Sequence, residues 1–477
     1  MCRGNQLSAR DEQFFEDSDE YRRRKVMTES RANLLVLHRF SRRIKLPGDH
    51  YCMSLFKPRN IAVSAAIILL LALLYQWINA GESLTPPEES PEMKSRPVYT
   101  RMDSMVFLYD SLLGSRIDSM GSVGAAVVVT HRQNIKLLKT FGVKEAETTD
   151  SVNQQTLFRL ASVSKTVTGV LAGILDNEGI LDLDDRVVEH LPAFSLKDSV
   201  NTMDLTVQNL LTHTTGLVPH AYDNMVEAGV PLRTILDSLF RVNISGIPGT
   251  LYGYQNVMFS LYDTICRAKT GRSYEKLVRS RIFEPFGMNN ASTGFAPFKN
   301  SANKALPHAR YGGRYRPLPL NDRYYNTNPA AGVNASIADM AQFLLALGNP
   351  RKLDPAVADT VFHPRIQSPL RWIYLRKWDK VESKEYALGW RIIGYHDRKI
   401  AYHGGYVQGY KAEIAYCPEE DLGIAFLTNS PNGVASGSVP LLLDLYVEHF
   451  PSEARIPGGN PATRRSVENR IEPFQYQ

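Results

Sequence analysis

Apolar positions are nearly continuous from Ile61 to Leu74, and Tyr75, Trp77 and Ile78 extend the run. At about 18 positions it sits near the lower limit for a membrane-spanning helix. Lys57 and Arg59 precede it, and Glu82, Glu88, Glu89 and Glu92 follow. The positive-inside rule then puts the N-terminus in the cytoplasm and the body of the chain outside. A buried core helix is the alternative, but the run has no polar face and is flanked by charge at both ends. Starting at Met53, the order Met-Ser-Leu-Phe-Lys-Pro-Arg and then the apolar run is the layout of an export signal or signal-anchor. Residues 1–60 therefore read as a polar cytoplasmic tail or an over-extended start, residues 61–80 as a transmembrane or signal segment, and residues 81–104, rich in Pro and Glu, as a linker. Ile78-Asn79-Ala80 is a mediocre cleavage site, because Ile is bulkier than the small residue usually found there. Release by signal cleavage stays open.

Beyond the linker the periodicity alternates between strand and helix. Gly124–Thr130 and Ile135–Phe141 read as a hairpin across a polar turn. Val167, Val170, Leu171, Ile174 and Leu175 mark one face of a helix ending near Gly179, and Val257, Met258, Leu261, Tyr262 and Ile265 mark another. Thr206 is placed to cap a short helix, and Ser336-x-x-Asp339 has the form of a capping box for a helix through Leu347. Ala387–Ile393, Lys399–His403, Lys411–Tyr416 and Gly423–Leu427 read as four close strands, followed by a helix opened by Pro440 and running to Phe450. With strands at both ends and helices between, the pattern predicts an α/β domain over residues 105–450, built on one sheet from both ends with a mostly helical insertion. Residues 451–477 form a C-terminal tail.

Composition narrows the function. The chain of 477 residues is 43% apolar and 22% charged, which excludes a mostly disordered or low-complexity protein. Its four cysteines include no Cys-x-x-Cys pair, so neither a disulfide scaffold nor a thiolate metal site is expected. The net charge of +6 is concentrated in the N-terminal segment, leaving the body near neutral and without a footprint for nucleic acid.

There is no G-x-S-x-G, H-E-x-x-H, Walker loop or G-x-G-x-x-G. Ser-x-x-Lys occurs at Ser54, Ser162, Ser273 and Ser301, and only Ser162 opens an amphipathic helix after a strand-like stretch. On a helix, Ser162 and Lys165 lie about one turn apart on one face. The helix N-terminus adds free N–H groups and a positive dipole end, which favour an alkoxide and an oxyanion. The competing reading is an N-cap serine and a surface lysine. Tyr254-Gln255-Asn256 precedes the next apolar helix, although Tyr-x-Asn also occurs at Tyr222 and Tyr324. A phenol held ionised by a lysine can shuttle protons, and the asparagine amide can orient the lysine. The alternative is a packed turn. His403-Gly404-Gly405 is the one His-x-Gly in the chain and ends a predicted strand, where two glycines permit close backbone approach.

Ser-x-x-Lys, Tyr-x-Asn and His-x-Gly in this order resemble the serine β-lactamase and penicillin-binding superfamily. The branch most resembled is that of class C β-lactamases with D-alanyl-D-alanine carboxypeptidases and related esterases. Leu210–Leu217, Pro248-Gly249-Thr250 and Phe283–Met288 fit the same branch. The resemblance implies a β-lactamase-like fold, an antiparallel sheet flanked by helices, and a serine hydrolase that forms an acyl-enzyme on an ester, amide or D-amino-acid peptide. A true β-lactamase and a non-hydrolysing sensor or scaffold are the rivals. It further implies Ser162 as nucleophile, Lys165 as its activator and Tyr254 as general base. The N–H groups of Ser162 and Tyr406 would form the oxyanion hole, and Asn256, His403, Gly404 and Gly405 would bind substrate. No cofactor or metal is implied. The expected partners are a small-molecule or peptide substrate and, through residues 61–80, a membrane. The expected location is the bacterial inner membrane, with the catalytic domain in the periplasm or extracellular space; oligomeric state is left open. Class C enzymes carry Lys-Thr-Gly where this chain has His403-Gly404-Gly405. A partly charged histidine and a missing hydroxyl would leave a β-lactam carboxylate poorly bound, so efficient β-lactamase activity is not expected.

Overall fold

The computed structural model describes residues 69–74, 76, 100–369, 375 and 377–451. Contacts divide the chain into two units, 1–95 and 96–477. In the first, the described residues are helical and the leucines at 69–71, 73 and 74 are exposed. Among the described residues no helix is long and apolar enough to cross a membrane. The rest of the 61–80 segment lies outside the described residues.

The second unit begins with helix α1 (Arg101–Met120), opened by a Thr100–Asp103 capping box and closed by Gly121 in the left-handed region. Strands β1 (Gly124–His131) and β2 (Asn134–Gly142) form the expected hairpin. Short strands β3 (Phe158–Arg159), β4 (Ser292–Thr293), β5 (His308–Tyr311), β6 (Arg314–Pro317) and β7 (Val333–Ala335) form two small separate sheets, and the chain returns to the first sheet at β8 (Ile366–Gln367), β9 (Val381–Tyr386), β10 (Arg391–Tyr395), β11 (Arg398–Val407), β12 (Tyr410–Cys417) and β13 (Leu422–Thr428). The order β2-β1-β13-β12-β11-β10-β9-β8 is antiparallel throughout, and β1 joins β13 in the register Ala125↔Thr428. Every residue of β1 and β13 is buried, because helices cover both faces. On one face α1 packs against a C-terminal helix (Gly433–His449); on the other lie α2 (Ser164–Asn177), α3 (Asn256–Thr270) and α4 (Ile337–Leu347). The segment between β2 and β8 is mostly helical, as the sequence predicts.

Three boundaries differ from the sequence reading, the first being the strand expected to end at His403, which runs on to Val407 as β11. Ala387–Ile393 is not one strand: Ala387–Trp390 forms the turn between β9 and β10. These residues are apolar because the turn is buried against α2, where Gly389 has φ +72° and a Cβ on it would lie 2.0 Å from the Lys165 carbonyl. Pro440 does not open the last helix but lies inside it. The helix starts at Gly433, capped by Asn432, and packing against the sheet overrides the weak helix propensity of its Gly/Ser-rich first turns.

Candidate active site

Ser162 lies in a single 3₁₀ turn, Ala161–Val163, directly ahead of α2, rather than on the helix itself. Ala161 has φ +48°, a left-handed conformation costing about 1–3 kcal/mol for a residue with a Cβ. The surroundings impose it. Leu160 N donates to Val333 O (3.0 Å), and Val333 N donates to Ser164 Oγ (2.9 Å). The other Ser-x-x-Lys serines in the described region do structural work. Ser273 caps a short helix by accepting from Lys276 N, and Ser301 ends one. Ser54 lies outside the described residues.

Lys165, one turn beyond Ser162, is fully buried. Its Nζ is 2.7 Å from Asn256 Oδ1, 3.0 Å from Ala330 O and 3.4 Å from Ser162 Oγ. Burial pushes its pKa well below the usual 10.5; Asp223 opposes the shift and Arg391 adds to it. A neutral amine has two N–H donors and one lone pair. In that neutral form Asn256 and Ala330 take the two donors and the lone pair is left for the serine hydroxyl.

Tyr254 donates from its phenol to Ser162 Oγ at 2.9 Å. Burial raises its pKa, against the weaker pull of Arg391 and of the bond to Ser162. This corrects the sequence expectation of a phenol held ionised by Lys165: burial drives the lysine towards neutrality and keeps the proton on the tyrosine. Asn256, the first residue of α3, is engaged at both ends. Its Oδ1 accepts from Lys165, and its Nδ2 donates to Asp223 Oδ2 at 3.0 Å. Behind Tyr254 stands His213, fully buried, with its ring centroid 4.4 Å from the phenol ring and Nδ1 accepting from Gln255 N. Burial holds this imidazole neutral.

Strand β11 forms the opposite wall. Its pairing with β10 ends at Arg391↔Tyr402, so from His403 onward that edge of β11 has no partner in the sheet. Gly405 crosses the serine turn so closely that a Cβ would lie 2.2 Å from Leu160 O and 3.0 Å from Ser162 N. Tyr406 follows and is 68% exposed. The expectation of a partly charged His403 is overturned. The ring is fully buried, with Nδ1 bonded to Gly404 O (2.9 Å) and Nε2 facing Tyr386 OH (3.3 Å). Burial and the nearby Arg391 cation hold its pKa well below 6.5. A Cβ on Gly404 would meet Tyr402 OH at 2.9 Å and Glu413 Oε2 at 3.0 Å. The space a threonine would need is taken by that hydrogen-bonded pair.

The sequence reading missed Arg391 and Asp223. Arg391 opens β10, with its guanidinium 5.5 Å from the Tyr254 ring centre and 5.9 Å from that of Tyr386. Burial works against its charge, yet a guanidinium stays protonated even there, and its buried Nε has no hydrogen-bond partner. Neither residue belongs to a short motif. Only the fold brings them to Lys165 and Tyr254.

With Ser162, Lys165 and Tyr254 in mutual contact, the comparisons with known proteins become decisive. A Beta-lactamase family model matches residues 110–446. This chain belongs to the Beta-lactamase family. Within it, the chain is 26% identical over 308 residues to the Unguisins hydrolase ungD' of Aspergillus campestris, covering 61% of this chain and 55% of that protein. It is 25% identical over 343 residues to the Beta-lactamase of Escherichia coli, covering 64% of this chain and 84% of that enzyme. The chain thus spans only about half of the first relative. The octameric penicillin-binding protein homologue from Pyrococcus abyssi shares the fold, with a TM-score of 0.62, 23% identity and coverage of 72% of this chain and 77% of that one. The antiparallel sheet with flanking helices is the β-lactamase-like fold, and the family is one of hydrolases.

Proposed function

We propose that the chain is a serine hydrolase that cleaves an ester, an amide or a D-amino-acid peptide through an acyl-enzyme on Ser162. The observation that carries this reading is the placement of Ser162 Oγ between the Tyr254 phenol at 2.9 Å and the buried Lys165 amine at 3.4 Å. As Oγ attacks the substrate carbonyl, its proton passes to the lone pair of Lys165. The N–H groups of Ser162 and Tyr406 receive the oxyanion. When the intermediate collapses, the C–O or C–N bond breaks and the leaving group takes the Tyr254 proton, which the Lys165 ammonium replaces. Water then attacks the acyl-serine by the reverse route: its proton goes to Tyr254 as Tyr254 passes its own to Lys165, and on collapse the Lys165 ammonium returns a proton to Ser162 Oγ as the acid departs. In the same proposal the apolar 61–80 segment tethers the hydrolase to a membrane. A fluorophosphonate should label one site, and mass mapping should place the adduct on the peptide containing Ser162. Labelling elsewhere, or none, would sink the assignment.

Arg391 favours a second, narrower reading in which the substrate carries a carboxylate, as a β-lactam or a peptide C-terminus does. Burial pushes His403 towards its neutral form, a weaker partner for that group, whereas the guanidinium beside Tyr254 is charged and has an unpartnered Nε. A charge-assisted hydrogen bond is worth about 1.5–3 kcal/mol. Arg391→Gln should therefore lower kcat/KM for nitrocefin or a D-alanyl peptide by about 10–100-fold. Turnover of the uncharged ester p-nitrophenyl butyrate should change far less. Equal losses on both would remove the carboxylate reading.

A further inference from the structure

Asp223 stands beside the site without touching Ser162. The turn that presents it is strained twice, with His220 at φ +59° and Tyr222 at φ +62°. Left-handed conformations of such residues cost about 1–3 kcal/mol each and persist where the surroundings enforce them. Here His220 N donates to Tyr254 O at 2.8 Å, tying the turn to the tyrosine that contacts the serine. Asp223 Oδ2 pairs with His220 Nδ1 (2.8 Å) and accepts from Asn256 Nδ2 (3.0 Å), while the buried Oδ1 has no partner.

The consequence lies in the asymmetry of an amide. A carboxylate can only accept, so Asn256 must turn Nδ2 to Asp223 and Oδ1 to Lys165. A flipped amide would point an N–H at the lysine's lone pair and occupy it. Lys165 is faced by Tyr254, by His213, by His403 from β11 and by Arg391 from β10. Asp223 is the anion among the groups acting on it, and Arg391 is the opposing cation. We propose that Asp223, held by His220, is a positioning residue that locks the Asn256 amide so that the lone pair of Lys165 points at Ser162. The proposal rests on the acyl-enzyme reading above.

Two variants of the full chain separate its parts, read as the rate of fluorophosphonate labelling at Ser162 against pH. Asp223→Leu removes the acceptor, and its plateau rate should fall by about 10–100-fold, a loss on the scale of misplacing a proton acceptor. Asp223→Asn keeps an acceptor oxygen but loses the charge that raises the proton affinity of Lys165. Its acid limb should therefore move to lower pH, with the plateau changed far less. A folded Asp223→Leu enzyme with the wild-type plateau would overturn the proposal. If that variant gives no cooperative melt, an unmoved acid limb in Asp223→Asn overturns it instead. Wild-type protein that does not label at Ser162 refutes the acyl-enzyme reading and this proposal with it. Normal wild-type labelling with neither variant altered refutes this proposal alone.

Discussion

Lys165→Ala will slow acylation of Ser162 by about 10²–10⁴-fold, the scale of a positioned proton-transfer group. The serine proton then has no neutral amine to receive it, and Tyr254 cannot substitute while burial keeps its own proton in place. Stopped-flow hydrolysis of p-nitrophenyl acetate would check this; a loss of only a few-fold would assign the proton to another acceptor. The wild-type rate should rise with pH through the lowered pKa of Lys165, since only the neutral amine accepts. Stability follows the same group. Between the lowered folded value and the ordinary 10.5, the unfolded chain binds more protons than the folded one. Stability therefore climbs with pH across that window. Lys165→Met should flatten this contribution, seen as a smaller rise of Tm with pH than in the wild type.

Gly405→Ala should cost about 10²-fold or more in kcat/KM, the penalty for moving a reacting group by roughly 1 Å. The added methyl would stand 2.2 Å from Leu160 O, and a backbone atom cannot swing aside as a side chain does. Either β11 or the serine turn must retreat, and with it the pairing of the Ser162 and Tyr406 amides. Gly404→Ala makes the informative control. Its Cβ would meet the Tyr402 hydroxyl and the Glu413 carboxylate, both ends of side chains that can yield. Near-wild-type turnover in Gly405→Ala would mean that β11 does not supply the oxyanion wall.

Local signals were read well from the chain. The Ser336–Asp339 box caps α4, the Thr206 cap holds a helix at Val207–Leu211, and the β1–β2 hairpin sits where its alternation predicts. Such features depend on neighbours a few residues away. At Ser162, Lys165 and Tyr254 motif order stands in for three-dimensional proximity, and the fold brings the three into contact. What sequence could not supply was environment. The neutrality of His403, the proton on Tyr254 and the low proton affinity of Lys165 all follow from burial. The turn at Ala387–Trp390 misled for the same reason, since an apolar run buried against a helix looks like a strand.

The pairing of β1 with β13 constrains how the molecule can be made. Strand β1 must wait for β13, about 300 residues later, before its second edge is covered. Until then a nascent chain carries a largely apolar strand with an open edge, the kind of surface that seeds aggregation. Strand β11, the wall opposite Ser162, arrives almost as late. Synthesis halted before residue 403 would leave the serine turn without the wall that Gly405 forms against it, and a chain more in need of a chaperone than capable of catalysis.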